Sequence, residues 1–310
     1  YVGTLSEGMG AHLESGELRA AEQLATLGEV FARETATALV PQLPNVLPIL
    51  LHKGILVVTS APSPLPHTGD GTAFYTFTHT LLHRHLVATA VANRTINGAG
   101  LIAVVAGRLP LYSILPLELL TQHGLGDAPL ATVQDALKVL TDMIIPLAEG
   151  TDWRFATPAL QAAKSLFAAC QPQLHQTEQR QQQLLLKGIE LSVHYAASNY
   201  KAVRQEVGEY LQLTEPMESL DVVLRRYHAL SLLMTVEIYQ TSQFPEEIWA
   251  ELQALLQRFP EIELTEEYVQ NLTSIIGVVM LVLNDYTLLR QLEPRLEALR
   301  QSEQTPPPVR

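Results

Sequence analysis

Histidine is the side chain best suited to chemistry near neutral pH, and three of the ten in this chain crowd together at His79, His83 and His85, with His67 upstream. An imidazole pair can hold a transition metal, relay a proton or orient a nucleophile. On a helix, His79 and His83 stand one turn apart on one face; on a strand, all three share a face because their positions have the same parity. Either backbone leaves a pair for a metal, and Asp70 is the nearest acid in sequence that could complete a ligand set. His79, His83 and His85 are therefore the candidate metal ligands. Against this stands the plainer expectation of a chance cluster on a polar–apolar boundary, with no cofactor.

Other groups invite weaker chemistry. Arg225-Arg226-Tyr227-His228 could grip a phosphate or an acidic peptide, since guanidinium forks suit oxyanions, or could form a solvated helix face. Asp152, Trp153 and Arg154 read as a loop whose tryptophan plugs an apolar seam. Cys170, at a helix end with no base beside it, reads as an inert small residue. Gly69-Asp70-Gly71 reads as a turn. The chain has no Gly-rich loop ending in Gly-Lys-Ser/Thr, no HExxH, no Gly-x-Ser-x-Gly and no GxGxxG after a strand. One cysteine precludes an intramolecular disulfide and any Cys-rich zinc site, and suits a reducing, cytoplasmic setting. Twenty Lys and Arg against 32 Asp and Glu give a net charge of −12, which opposes nonspecific binding to nucleic acid or anionic lipid.

The elements that must position these residues are mostly helical by composition. Glu outnumbers Asp 25 to 7 and Gln reaches 22, while aromatic residues make up 6%; straight-chain residues lose little rotamer freedom in a helix. Apolar spacing at Leu18, Ala21, Leu24, Leu27, Val30 and Phe31 predicts one amphipathic helix over Leu13–Ala38, with Ser15 as N-cap. Pro41, Pro44 and Pro48 break that pattern. The β-branched run Ile55–Ala61 predicts a strand. The Thr-rich alternation of Ala73–Thr80 favours another, and the runs His85–Ala92 and Leu101–Gly107 flank Asn97-Gly98, completing a meander of three or four strands. The competing arrangement is one helix over Ala73–Ala92 joining two parallel strands, Ile55–Ser60 and Leu101–Ala106.

Helical signals dominate after Pro110. Starts at Pro129-Thr132-Asp135 and Thr157-Pro158 lead into helices ending near Ile145 and Ala169. Further helices are expected over Leu174–Ala197, Tyr200–Leu213, Glu218–Tyr239, Pro245–Phe259, Thr265–Leu283 and Thr287–Arg300. The tail, with three consecutive prolines, should be extended or disordered. The fold class expected is mainly α: an α+β N-terminal domain over 1–150 with a few short strands, an antiparallel helical-hairpin array over 151–300, and a disordered tail over 301–310. No Lys/Arg-rich segment followed by an apolar core opens the chain, so no signal peptide is expected in it. The most apolar stretches, Val46–Ser60 and Ile275–Leu283, read as core rather than as membrane spans.

Within the array, LSVHYAASNYKAVRQEVGEYLQLTEP (Leu191–Pro216) resembles a divergent tetratricopeptide-type helical hairpin. The likeness rests on a helix ending at Ala197, the turn Ser198-Asn199, and a second helix opening at Tyr200 with Val203, Val207, Leu211 and Leu213 on one face before Pro216. Ser198 stands where the family has glycine and Val203 where it has a small residue. The next comparable turn, Ser242-Gln243-Phe244, lies 44 residues beyond Tyr200 where the family repeats after about 34. The resemblance implies stacked antiparallel helix pairs that bind peptides or partner proteins in a groove. The function expected is therefore non-enzymatic protein–protein interaction, assembly or regulation, the partner being another protein or a second copy in a homo-oligomer. The alternative is an enzyme or sensor built on His79, His83 and His85.

Overall fold

The computed structural model describes residues 13–60, 62–65, 68–123, 127–149, 153–215, 217, 219–287, 290 and 297. His67, Asp152, most of the helix expected over Thr287–Arg300 and the expected tail lie outside the described residues, as do the side chains of Trp153 and Arg154. The described elements are mainly α, with thirteen α-helices and one three-stranded antiparallel sheet. They belong to two compact units, Tyr1–Leu186 and Lys187–Arg310.

A single glycine undoes the first expected helix. α1 (Ser15–Ala25) starts on a reciprocal box in which the Glu14 N–H donates to the Glu17 carboxylate at 2.9 Å. The chain then turns at Gly28, whose φ of +111° favours glycine and whose missing Cβ would lie 2.5 Å from the Ser113 side chain. Helix beyond that point is lost. Residues expected to continue it form β1 (Val30–Ala32) and the short α2 (Arg33–Leu39). Pro41 stands in the turn after α2, as expected, whereas Pro44 and Pro48 lie inside α3 (Leu43–His52), where Pro44 sits at the first turn and lacks only an amide that would be orphaned there.

β2 (Leu56–Thr59) and β3 (Phe74–Phe77) fall within the two expected strands. β3 is central, pairing antiparallel with β1 at Phe31↔Tyr75 and with β2 at Val58↔Tyr75. Phe31 lies 6.2 Å from the Tyr75 ring and 6.0 Å from Phe77, so aromatic packing holds the small sheet together. The other two expected strands are helices: α4 (Thr80–Ala92) and α5 (Gly98–Ala106). Asn97 caps α5 by accepting from the Gly100 N–H at 2.9 Å, and a Cβ on Gly100 would meet Asn97 at 2.5 Å. The apolar runs His85–Ala92 and Leu101–Gly107 fit helix or strand by periodicity alone; capping and packing decide.

α6 (Leu115–His123), α7 (Leu130–Glu149) and α8 (Trp153–Cys170) complete the first unit, with α7 and α8 packed along each other and α5 laid against α7. The division between units thus falls at Leu186–Lys187, within α9 (Gln176–Ala196), later than the 150–151 boundary expected. α8 begins before Thr157-Pro158 and buries Ala159, Leu160, Ala163 and Leu166, and α6 and α7 are the helices it packs on.

The second unit holds the rest of α9, then α10 (Tyr200–Thr214), α11 (Leu220–Thr241), α12 (Glu246–Arg258) and α13 (Glu266–Val278). The chain leaves α9 through Ser198 (φ +56°) and α11 through Ser242 (φ +53°), so both turns use the left-handed region. α10 buries Val203, Val207, Tyr210 and Thr214, spaced for one helix face, while Leu213, expected on that face, is exposed. Tyr227, Leu230, Met234, Leu252, Leu272 and Ile275 form the core that α11, α12 and α13 share. α13 runs on into one π-helical turn, Val279–Leu283. By length and composition, Glu266–Leu283 could cross a membrane, but Tyr268, Leu272, Ile275 and Val279 in it are core residues of this unit.

Candidate functional site

The three clustered histidines take separate places. His79 is the extended N-cap residue of α4, exposed, with its carbonyl accepting from the His83 N–H at 3.1 Å. His83 turns inward, its Nε2 2.9 Å from the Ala25 carbonyl and its ring 5.3 Å from Phe77. Because a carbonyl only accepts, Nε2 carries the proton. Burial pushes the ring below its ordinary pKa, and the Ala25 carbonyl partly offsets this. His85 is exposed, about 200° around the helix from His83. They do not converge on one point.

The weaker candidates are also absorbed by the fold. Arg225 pairs with Asp221 on its own helix at 3.2 Å, and Tyr227 is buried against the Tyr268 ring. Cys170 is buried, its thiol donating to the Phe167 carbonyl at 3.4 Å and pushed above its ordinary pKa by desolvation. Gly69-Asp70-Gly71, expected as a turn, is irregular chain between bends, held by the Gly69 N–H on the Arg108 carbonyl at 2.8 Å.

The second unit brings together groups that sequence reasoning did not single out. Among the described residues, one set of three ligating side chains has all its ligand atoms within 4.8 Å of one another: Glu190, His194 and Glu206. Glu190 and His194 share a face of α9 at i, i+4, and Glu206 comes from α10. His194 Nε2 lies 3.3 Å from Glu206 Oε1 and 3.7 Å from Glu190 Oε1. Lys187 approaches from the other side, 3.8 Å from Glu190 Oε2, 3.6 Å from Glu206 Oε2 and 3.4 Å from Glu209 Oε2. The sequence signal is symmetry about the turn: Glu190 and Glu206 are equidistant from Ser198, as are Lys187 and Glu209, and an antiparallel hairpin lays such residues side by side.

A second polar group ties three helices. The Asn271 amide donates from Nδ2 to the Glu267 carbonyl at 2.8 Å, which turns Oδ1 toward His228 Nδ1 at 2.9 Å. Nδ1 must then carry a proton, and in the neutral form of the ring Nε2 is left to accept from the Ser192 hydroxyl at 3.2 Å. Hydroxyl, imidazole and amide in this order resemble a nucleophile relay. Ser192, however, lies within α9, where the helix engages the backbone amides that would otherwise stabilise an oxyanion. The group is a partly buried tie between α9, α11 and α13.

One surface feature stands out against this paired interior. In the π-turn after α13, Leu281 is 83% exposed, Met280, Val282 and Leu283 are partly covered, and Tyr286 is exposed just beyond. From Tyr268 through Asn284 the chain carries no charged side chain.

Comparison with known proteins found no family model, no curated protein and no solved structure that matches the chain. Its class is defined by architecture alone: a mainly α protein with a small antiparallel sheet in its N-terminal unit.

Proposed function

We propose that the protein works by protein–protein association rather than by catalysis, and that its C-terminal unit is the docking element. The observation that carries this reading is the uncharged turn Val279–Leu283, with Leu281 held 83% in solvent at the end of a core helix. A leucine that far out of the core gains free energy only by being covered, on the order of 1.5–3 kcal/mol for full burial. The occupant favoured is a second copy. In a chain of net charge −12, like charges repel over most of any self-contact, and the turn around Leu281, the exposed end of the uncharged stretch Tyr268–Asn284, is where two copies meet without that cost.

Sedimentation velocity over a wide concentration range tests this. The expected result is an average mass that rises with concentration in the unaltered chain and stays at the monomer value in Leu281→Glu. A monomer at every concentration, or identical behaviour of the variant, overturns it. Co-sedimentation of the turn with neutral lipid vesicles in place of self-association would assign it to a membrane surface and equally overturn it.

A further inference from the structure

We infer that Glu190, His194 and Glu206 form a binding site for a divalent transition-metal cation of the Zn²⁺ type, independent of the docking role of the π-turn. One imidazole nitrogen and two carboxylate oxygens make a donor set of borderline softness, suited to such ions rather than to Ca²⁺ or Mg²⁺, which take oxygen alone. The spacing fits. With metal–ligand bonds of about 2.0–2.2 Å, tetrahedral neighbours stand roughly 3.3–3.6 Å apart, and His194 Nε2 lies 3.3 Å from Glu206 Oε1 and 3.7 Å from Glu190 Oε1. All three ligand atoms lie within 4.8 Å of one another, so side-chain adjustment alone would close the set around one ion.

Lys187 does not occupy that position. The imidazole faces the Oε1 atoms of both glutamates, whereas the ammonium faces their Oε2 atoms, together with Glu209. At 3.4–3.8 Å these contacts are longer than good hydrogen bonds, so Lys187 acts as a diffuse counter-charge behind the carboxylates. Each glutamate can ligate through one oxygen while the other keeps Lys187 as an outer partner. The support is two regular helices: Glu190 and His194 are one turn apart on α9, and α10 returns Glu206 across the Ser198 turn. Side-chain exposures of 14% for Glu190, 15% for Glu206 and 27% for His194 leave an entry path and room for water or a further ligand to complete the coordination.

The test uses the full chain, stripped with chelator and titrated with Co²⁺, then with Zn²⁺. The expected result is one Co²⁺ per chain with visible d–d absorption, displaced by Zn²⁺. His194→Ala and the near-isosteric Glu206→Gln should each weaken uptake by more than about tenfold, the least that loss of even an outer-shell partner costs, with helical circular dichroism unchanged. His79→Ala and His85→Ala should leave it unaltered. The inference is overturned if the unaltered chain takes up no stoichiometric metal, if Glu206→Gln and His194→Ala bind as tightly as the unaltered chain, or if His79→Ala abolishes uptake.

Discussion

The two units use histidine in opposite ways. In the N-terminal unit three histidines crowd within one stretch of sequence, yet the fold seats one on a backbone carbonyl and leaves the other two apart in solvent. In the C-terminal unit His194 and His228 are isolated in sequence, yet each meets side chains from other helices. The difference lies in how each unit returns its chain. The first wraps a three-stranded sheet and many short helices, so neighbours in sequence diverge within a turn or two. The second folds back at Ser198, and residues equidistant from that turn become neighbours in space. In this chain, clustering in sequence did not bring ligating side chains together, whereas symmetry about the hairpin did.

The contrast can be broken at its core first. Phe31 anchors the sheet among Tyr75 and Phe77, fully buried. Phe31→Ala should cost about 3–5 kcal/mol by denaturant unfolding; a cost below about 1 kcal/mol would mean that the sheet is not what orders the N-terminal unit. The C-terminal unit should answer instead to its polar tie. Asn271→Ala removes the acceptor that fixes the His228 tautomer and should cost about 1–3 kcal/mol, whereas a neutral result would show the tie to be incidental.

Two smaller effects sharpen the comparison. Tyr210 is fully buried, its hydroxyl has no hydrogen-bond partner, and burial pushes its pKa up to about 12. Tyr210→Phe should therefore stabilise by about 1 kcal/mol, since it removes a polar group that lost water on folding; destabilisation would reveal a bond to that hydroxyl. His83 gives a dependence on pH. Its folded pKa lies below the ordinary 6.5, so the unfolded chain takes up the proton first. Its contribution is complete above about pH 6.5 and falls as pH drops from there through the folded value. His83→Gln, which can still donate to Ala25, should flatten that part of the stability curve, and an unchanged slope would assign it elsewhere.

The helical class was legible because Glu, Gln, Leu and Ala act locally. Strands Leu56–Thr59 and Phe74–Phe77 were legible because β-branched residues in the one and the alternation of aromatic residues with threonine in the other suit a pleated strand. What escaped depended on distant contacts. The turn after α1 needs glycine at position 28, where Ser113 leaves no room for a Cβ, and Leu101–Ala106 lies in a helix that Asn97 caps, with Leu39 and Asn97 close against Gly100. Of the groups that matter in the C-terminal unit, only the i, i+4 pair Glu190 and His194 could have been found from spacing. Glu206 needed the hairpin register, and Ser192, His228 and Asn271 needed three helices in place.

The most direct test of the docking account is hydrogen–deuterium exchange of the full chain at low and high concentration, read peptide by peptide. Among the exposed apolar side chains, Val57 and Val58 lie on the edge strand β2 and Leu281 on the π-turn. The account predicts protection that grows with concentration over Val279–Tyr286 and stays constant over Leu56–Thr59. Growing protection at the edge strand with none at the turn, or no dependence on concentration at either, would contradict it.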